Sequence, residues 1–126
     1  MKQIIESQHA PEPIGPYSQA VLHGNTLYVS GQIPIDPNSG NLVKADIATE
    51  TRRVMKNLKA VLREADMDFS NVVKSTIFLT NMNDFQEVNK EYGSFFDPLT
   101  APARETVEVS RLPKNVRVEI SCIAIR

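Results

Sequence analysis

The chain has 126 residues, of which 41% are hydrophobic and 23% charged, a formal net charge of −1 and a single cysteine. These totals fit one domain spanning residues 1–126, without an intrachain disulfide, and the near-neutral charge without a Lys/Arg run argues against nucleic-acid binding. No apolar run approaches the about 20 residues that span a bilayer, and Met1 leads into no apolar signal core, so we expect a soluble cytoplasmic protein.

The first part of the chain predicts three strands. Lys2 to Glu6 is a short first strand. Ala20 to His23 and Thr26 to Gly31 flank Gly24-Asn25, a dipeptide that tolerates positive φ, and therefore predict a hairpin.

A helix is expected next, with Asp46 as its N-cap. Behind Asp46, buried-type residues recur at spacings of three and four, which is the pattern of an amphipathic helix: Ile47, Thr51, Val54, Leu58, Val61, Leu62 and Ala65. The basic residues of this segment fall on the opposite, solvated face.

The second part of the chain predicts three strands and one helix. Val72 to Thr80 is β-branched and apolar, as in a central strand. Asn83 or Asp84 can cap a helix with the stripe Phe85, Val88, Asn89, Tyr92, Phe95 and Phe96. Two final strands, Ala103 to Val109 and Val116 to Ile125, are joined by a turn at Leu112 to Asn115.

The resulting order, β-β-β-α-β-α-β-β, predicts an α+β fold with both helices on one face of the sheet. Residue alternation in the last two strands then assigns their polar side chains to the opposite, uncovered face: Arg104, Thr106, Glu108, Arg117, Glu119 and Ser121. Because a mixed polar and apolar face is commonly buried in an oligomer, we expect another subunit to cover it.

Two residues of this face, on final strands that we expect to be neighbours in the sheet, are candidates for chemistry. The planar guanidinium of Arg104 suits bidentate binding of a carboxylate, and the alternative is an ordinary ion pair with Glu119 or Glu108. Glu119 could position or deprotonate a water, and its alternative is a cross-strand ion pair.

Three further positions have both a functional and a structural interpretation. Asn89 interrupts an apolar stripe, where a buried amide needs partners. Tyr17 lies in a Pro/Gly loop, where aromatic residues usually pack the loop down. Ser30-Gly31 ends a strand, where the glycine is a turn residue or lets a ligand approach the backbone.

Metal and thiol chemistry find little support in the sequence. His9 and His23 lack the spacing of a zinc site, and Cys122 shares its phase with Val118 and Ile120, as a buried and unreactive thiol does.

Six segments together resemble the Rid, or YjgF-like, family and most closely its RidA branch of 2-iminobutanoate/2-iminopropanoate deaminases. The most specific is the PAR motif that ends at Arg104. The matching runs are IGPYSQAV (14–21), LYVSGQIPIDPNSG (27–40), NLKAVL (57–62), DFQEVNKEYGSFF (84–96), APARETVEVSRLP (101–113) and VEISCIA (118–124).

The resemblance implies a chorismate-mutase-like fold, with a six-stranded mixed sheet and two helices on one face, assembled as a homotrimeric barrel with clefts between subunits. It implies hydrolysis of reactive 2-imino acids to 2-oxo acids and ammonia without a cofactor or metal. Arg104 would bind the substrate carboxylate and Glu119 would orient the attacking water. The other cleft residues would be Tyr17, Ser30, Gly31, Asn89 and Thr106.

This sequence departs from the family pattern at two positions. Thr106 stands where some members have cysteine, and Ser121 stands where many have glutamate. Two other roles also attach to the family, a regulatory protein that binds small carboxylates and a ribonuclease. The ribonuclease is disfavoured because the chain has no placed His pair and is not basic.

Overall fold

The computed structural model describes residues 1–126 and has the predicted order of elements. Strands β1 to β3, helix α1 and strand β4 span Lys2–Ile5, Ala20–His23, Thr26–Gln32, Ile47–Glu64 and Val72–Leu79. Helix α2 and strands β5 and β6 follow at Phe85–Gly93, Ala103–Glu108 and Val118–Ile125. Neither helix is long and apolar enough to cross a membrane.

The six strands form one mixed sheet in the order β1-β2-β3-β6-β4-β5. Only β4 and β5 pair in parallel, because the crossover through α2 returns the chain in the same direction. Strand β6 lies between β3 and β4. The prediction that β5 and β6 are neighbours is therefore wrong, since β4 separates them.

Helix α1 begins as predicted. The Asp46 side chain accepts a hydrogen bond from the Thr49 backbone N–H at 2.7 Å, and this satisfies one of the free donors of the first turn. The predicted stripe is buried against the sheet, with Val54, Val61 and Leu62 fully enclosed. Its basic residues Arg52 and Lys56 are exposed.

Helix α2 begins differently from the prediction. The Asn81 side chain accepts from the Asn83 backbone N–H at 2.9 Å and opens a short 3-10 turn, Met82–Asp84, that continues into α2. Neither predicted cap residue makes a side-chain cap, since Asp84 forms no such hydrogen bond and Asn83 only donates its backbone N–H. The extra turn moves the capping position upstream of both residues.

The sheet face opposite the helices is uncovered in the single chain, as the sequence predicts. Directly paired residues of neighbouring strands share a face, and the pairs Tyr28–Ile123 and Thr76–Ser121 place those residues on the open one. Tyr28 is 52% exposed. The face is mixed, with apolar residues such as Tyr28 and Ile123 toward one end of the strands and Glu119 toward the other.

Candidate functional site

Arg104 lies on the helix-bearing face of the sheet and not on the open face. It pairs with Ser75 of β4, which pairs with the buried Cys122 of β6. The prediction that Arg104 and Thr106 share the open face with Glu119 is therefore wrong. Strand β5 is at the edge of the sheet, where the helix layer ends, so polar side chains are tolerated on its helix side.

The guanidinium of Arg104 lies against two aromatic rings. Its central carbon is 5.1 Å from the ring centroid of Tyr92 and 5.8 Å from that of Phe85, within the range of a cation–π interaction. No ion pair in the chain involves Arg104. Glu108 instead accepts from the Met82 backbone N–H at 2.7 Å.

The ion-pair interpretation of Arg104 is therefore wrong. Its N–H groups make no hydrogen bond within the chain, so they are free to bind a carboxylate in the bidentate geometry that a guanidinium favours.

Thr106 carries a second polar group without a partner. Its Oγ1 atom is buried and makes no hydrogen bond. Thr106 is two residues beyond Arg104 on the same face of β5. Because buried hydroxyls are normally hydrogen-bonded, an unpartnered one beside a free guanidinium fits a site that a polar ligand completes.

Tyr92 is a member of this group that the sequence pattern hides. It is buried, and its hydroxyl donates to Ser75 Oγ at 2.9 Å. Burial raises the pKa of Tyr92, so the hydroxyl stays protonated. The helical stripe identifies Tyr92 only as a core residue, and the available signal was its polar tip, which needs a partner when buried.

Asn89 is exposed, although the sequence pattern predicts a buried amide. The helix layer ends at this side of α2, so a stripe position here faces outward. Asn89 is four residues from Phe85 and three from Tyr92, which places it on the same side of α2 as the two rings.

A second group of candidate residues surrounds Glu119. The pairing of β3 with β6 shifts between Val29 and Gln32, so Ser30 and Gly31 form a β-bulge. A Cβ atom on Gly31 would lie 2.7 Å from Cδ and 2.9 Å from Cγ of Glu119. Gly31 is therefore needed for close approach of a carboxyl to the backbone, and its φ is not in the left-handed region.

The Glu119 carboxyl has no hydrogen bond or ion pair in the chain, so the cross-strand ion pair is also wrong for this residue. Burial raises the pKa of Glu119 above the ordinary glutamate value. A carboxylate whose pKa is raised is a stronger base than an ordinary glutamate, so it is better suited to accept a proton from water.

Tyr17 and Ser30 lie close to this second group. Ser30 Oγ donates to the Ser18 carbonyl at 2.6 Å, and the Tyr17 hydroxyl accepts from the Ile14 backbone N–H at 3.2 Å. Tyr17 and Gly31 line the same small pocket. Tyr17 remains 48% exposed, so it packs its loop only in part.

Gln19 holds that loop in place and was missed by the sequence analysis. Its side chain is buried, accepts from the Ser7 backbone N–H at 2.6 Å and donates to the Pro11 carbonyl at 2.9 Å. The sequence has no pattern that predicts this loop-anchoring role for a polar residue at the start of a strand.

The two groups are separate within one chain. Arg104 pairs with Ser75 and Glu119 with Phe78, so they lie two strands and three residues apart, or about 14 Å between Cα atoms. They also point to opposite faces of the sheet. Within a single chain the candidate residues therefore form two separate groups, which we name the arginine half-site (Phe85, Asn89, Tyr92, Arg104, Thr106) and the glutamate half-site (Tyr17, Ser30, Gly31, Glu119).

The remaining nucleophile is Cys122. It is 5% exposed, and burial raises the pKa of its thiol to about 12. The prediction of a buried thiol is confirmed. Since the thiolate is the reactive form, Cys122 is unsuited to nucleophilic catalysis.

Comparison with known proteins gives concordant matches over almost the whole chain. Residues 7–126 match the family model described as Endoribonuclease L-PSP. A human protein named 2-iminobutanoate/2-iminopropanoate deaminase is 45% identical over 126 residues, covering 100% of this chain and 91% of that protein.

Two crystal structures extend the comparison to the fold. A Yersinia pestis protein of the Rid family, described as of unknown function, superposes with a TM-score of 0.96 at 50% identity, with 100% of both chains covered. Escherichia coli TdcF with bound serine superposes with a TM-score of 0.92 at 43% identity, with 98% of both chains covered.

Proposed function

Because the chain belongs to the Endoribonuclease L-PSP family, also called the YjgF or Rid family, we propose that it is a 2-imino acid deaminase. Its substrates would be 2-iminobutanoate and 2-iminopropanoate, and its products the 2-oxo acids and ammonia. The human relative that carries this activity in its name supports the assignment.

The observation that carries the proposal is the free guanidinium of Arg104. A half-buried arginine with no acidic partner supplies charge and directed donors at one point. A 2-imino acid has a carboxylate next to its reactive carbon, so binding at Arg104 fixes the position of that carbon. Serine, which TdcF binds, is likewise a small molecule with a carboxylate.

The reaction requires few steps. Water adds to the carbon of the C=N bond, with the water proton accepted by the Glu119 carboxylate. Glu119 passes that proton to the nitrogen, which gives a neutral carbinolamine. The carbinolamine hydroxyl then transfers its proton through Glu119 to the amino group, the C–N bond breaks, and ammonia leaves as the C=O bond of the 2-oxo acid forms. Orientation by Arg104 and proton transfer by Glu119 suffice for a substrate that is already electrophilic.

The separation of the half-sites supports an assembled active site. In the proposed homotrimer, the arginine half-site of one subunit meets the glutamate half-site of the next across a cleft. A ring of this kind uses two different surfaces of each chain. The uncovered sheet face, with Ile4 51% and Tyr28 52% exposed, provides apolar surface for such contacts.

The test generates 2-iminobutanoate in place from 2-aminobutanoate with an amino-acid oxidase and traps it with semicarbazide. The wild-type protein should lower the amount of trapped imine. Arg104→Ala should abolish this effect, because the substrate carboxylate then has no cation to bind.

Arg63→Ala is the matched control, since Arg63 is an exposed arginine on α1, away from both half-sites. If Arg104→Ala is as active as the wild type, the assignment of Arg104 is wrong. If the wild type is inactive but binds 2-oxobutanoate, the protein is a regulatory carboxylate-binding protein instead.

A further inference from the structure

Two aromatic rings support Arg104. The central carbon of its guanidinium lies 5.1 Å from the Tyr92 centroid and 5.8 Å from the Phe85 centroid. Both rings come from one side of α2, seven residues apart, so the helix backbone fixes their relative position. We call Phe85 and Tyr92 the aromatic shelf.

The shelf holds the cation without using its hydrogen-bond donors. A carboxylate partner would orient Arg104 but would occupy the N–H groups that bind the substrate. A ring face attracts the cation through its π electrons and leaves those N–H groups free. Since Arg104 has no acidic partner, the rings are the groups that restrict this long and flexible side chain.

Tyr92 is itself fixed from two directions. Its hydroxyl donates to Ser75 Oγ at 2.9 Å, and its ring packs on Phe96 with centroids 4.8 Å apart. Ser75 is also the residue of β4 that pairs with Arg104. Ser75 therefore contacts both supports of Arg104. Its backbone pairs with β5 at Arg104, and its hydroxyl accepts the hydrogen bond from the Tyr92 ring that lies against the guanidinium.

We propose that Tyr92 is a positioning residue that holds the Arg104 guanidinium for carboxylate binding through its ring face. This inference rests on the proposed function and assigns a role to a residue outside the predicted site. In the proposed site, Tyr92 contacts the Arg104 guanidinium and not the substrate. Tyr92 affects substrate binding indirectly, because it keeps the Arg104 guanidinium in the orientation that binds the substrate carboxylate.

The test measures KM and kcat for 2-iminobutanoate in Tyr92→Leu and Tyr92→Phe. Tyr92→Leu removes the ring face and should raise KM about three- to tenfold with a smaller effect on kcat, because a cation–π contact contributes on that scale. Tyr92→Phe keeps the ring face and should hold KM within about twofold of the wild type. A merely structural role of Tyr92 would lower the unfolding midpoint and the active fraction, and therefore the apparent kcat, without a selective rise of KM.

Phe95→Leu is the matched control. Phe95 packs edge-on against Phe69, with centroids 5.5 Å apart, and makes no cation–π contact with Arg104. The Phe95→Leu substitution should lower the midpoint of thermal unfolding, while the KM stays at the wild-type value. If Tyr92→Leu fails to fold, Phe85→Leu provides the second variant, because Phe85 is only half-buried and should also raise KM.

Two results would overturn the inference. One is a wild-type KM in both Tyr92→Leu and Phe85→Leu while Arg104→Ala is inactive. The other is an equal rise of KM in Tyr92→Phe and Tyr92→Leu, which would assign the effect to the hydroxyl. If the wild type has no deaminase activity, the proposed function fails separately, and the Kd of 2-oxobutanoate in the same variants tests the role of the shelf.

Discussion

At the scale of single residues, Arg104 and Glu119 share the property of having no polar partner within the chain. The rings of the aromatic shelf lie against the Arg104 cation, whereas burial next to Gly31 disfavours the Glu119 anion. The charged form of each side chain is less stable in its position than it would be in an ion pair. This is the pattern expected where a ligand supplies the missing partner.

Glu119→Gln should stabilise the fold at neutral pH and abolish the deaminase activity. The folded protein binds the Glu119 proton more tightly than the unfolded chain, since burial raises the pKa. Stability from this group is therefore full below the ordinary glutamate pKa and is lost as the pH rises through the raised value. Thermal unfolding of both proteins at pH 5 and pH 8 measures the effect, and a lower unfolding midpoint for Glu119→Gln at pH 8 would contradict it.

At the scale of elements, α1 holds the segment that follows the β-bulge. Asn57 is fully buried in α1, and its Nδ2 atom donates to the carbonyls of Ile33 and Ile35 at 3.2 and 3.0 Å. A buried polar residue within an apolar helix face thus fixes the chain just beyond Gly31. Through these two hydrogen bonds, α1 anchors the chain segment that directly follows Gly31 of the glutamate half-site.

Asn57→Ala should destabilise the fold by about 2–4 kcal/mol, because it leaves the Ile35 carbonyl without a donor, removes one of the two donors to the Ile33 carbonyl and creates a small cavity. Urea denaturation gives the free energy of unfolding. Arg53→Ala is the comparison, since it removes only the 3.2 Å bond from Arg53 to Asn57 Oδ1 and should cost less than about 1 kcal/mol. Similar losses in the two variants would refute the role of the two carbonyls.

An ion pair between the partly exposed Arg117 side chain and the buried Glu50 side chain connects the start of β6 to α1. Arg117 donates to Glu50 at 2.7 Å and to the Ala45 carbonyl at 2.8 Å. Alternation assigned Arg117 to the open face, and that prediction is wrong because this residue precedes the strand and turns toward the helix. Period-two reasoning holds only within the extended segment.

At the scale of the whole molecule, we expect the proposed active site to form only where two chains meet. Arg104 and Glu119 face opposite sides of one sheet, so no side-chain rotation joins them in a single subunit. Mixed assemblies can test this, because each of two defective chains still carries one intact half-site.

Arg104→Ala and Glu119→Gln, each inactive alone, should regain activity when they are unfolded together and refolded as a mixture. In randomly mixed rings, about a quarter of the clefts combine an intact Arg104 with an intact Glu119. The double variant mixed with either single variant is the control and should stay inactive, since no cleft then has both residues. Absence of recovery in the first mixture, with assembly verified by light scattering, would contradict the shared site.

The sequence by itself determined the elements, their order and the helix-covered core, because hydrophobic periodicity reports which side of a helix or strand is buried. It also identified every proposed site residue except Phe85 and Tyr92, through family motifs such as the PAR run at Arg104. The tertiary structure alone decided strand order, since pairing depends on contacts between distant segments. Only the structure shows that Arg104 and Glu119 lie on opposite faces of the sheet. It also shows that Asn89 is exposed and that the Tyr92 ring lies against the guanidinium.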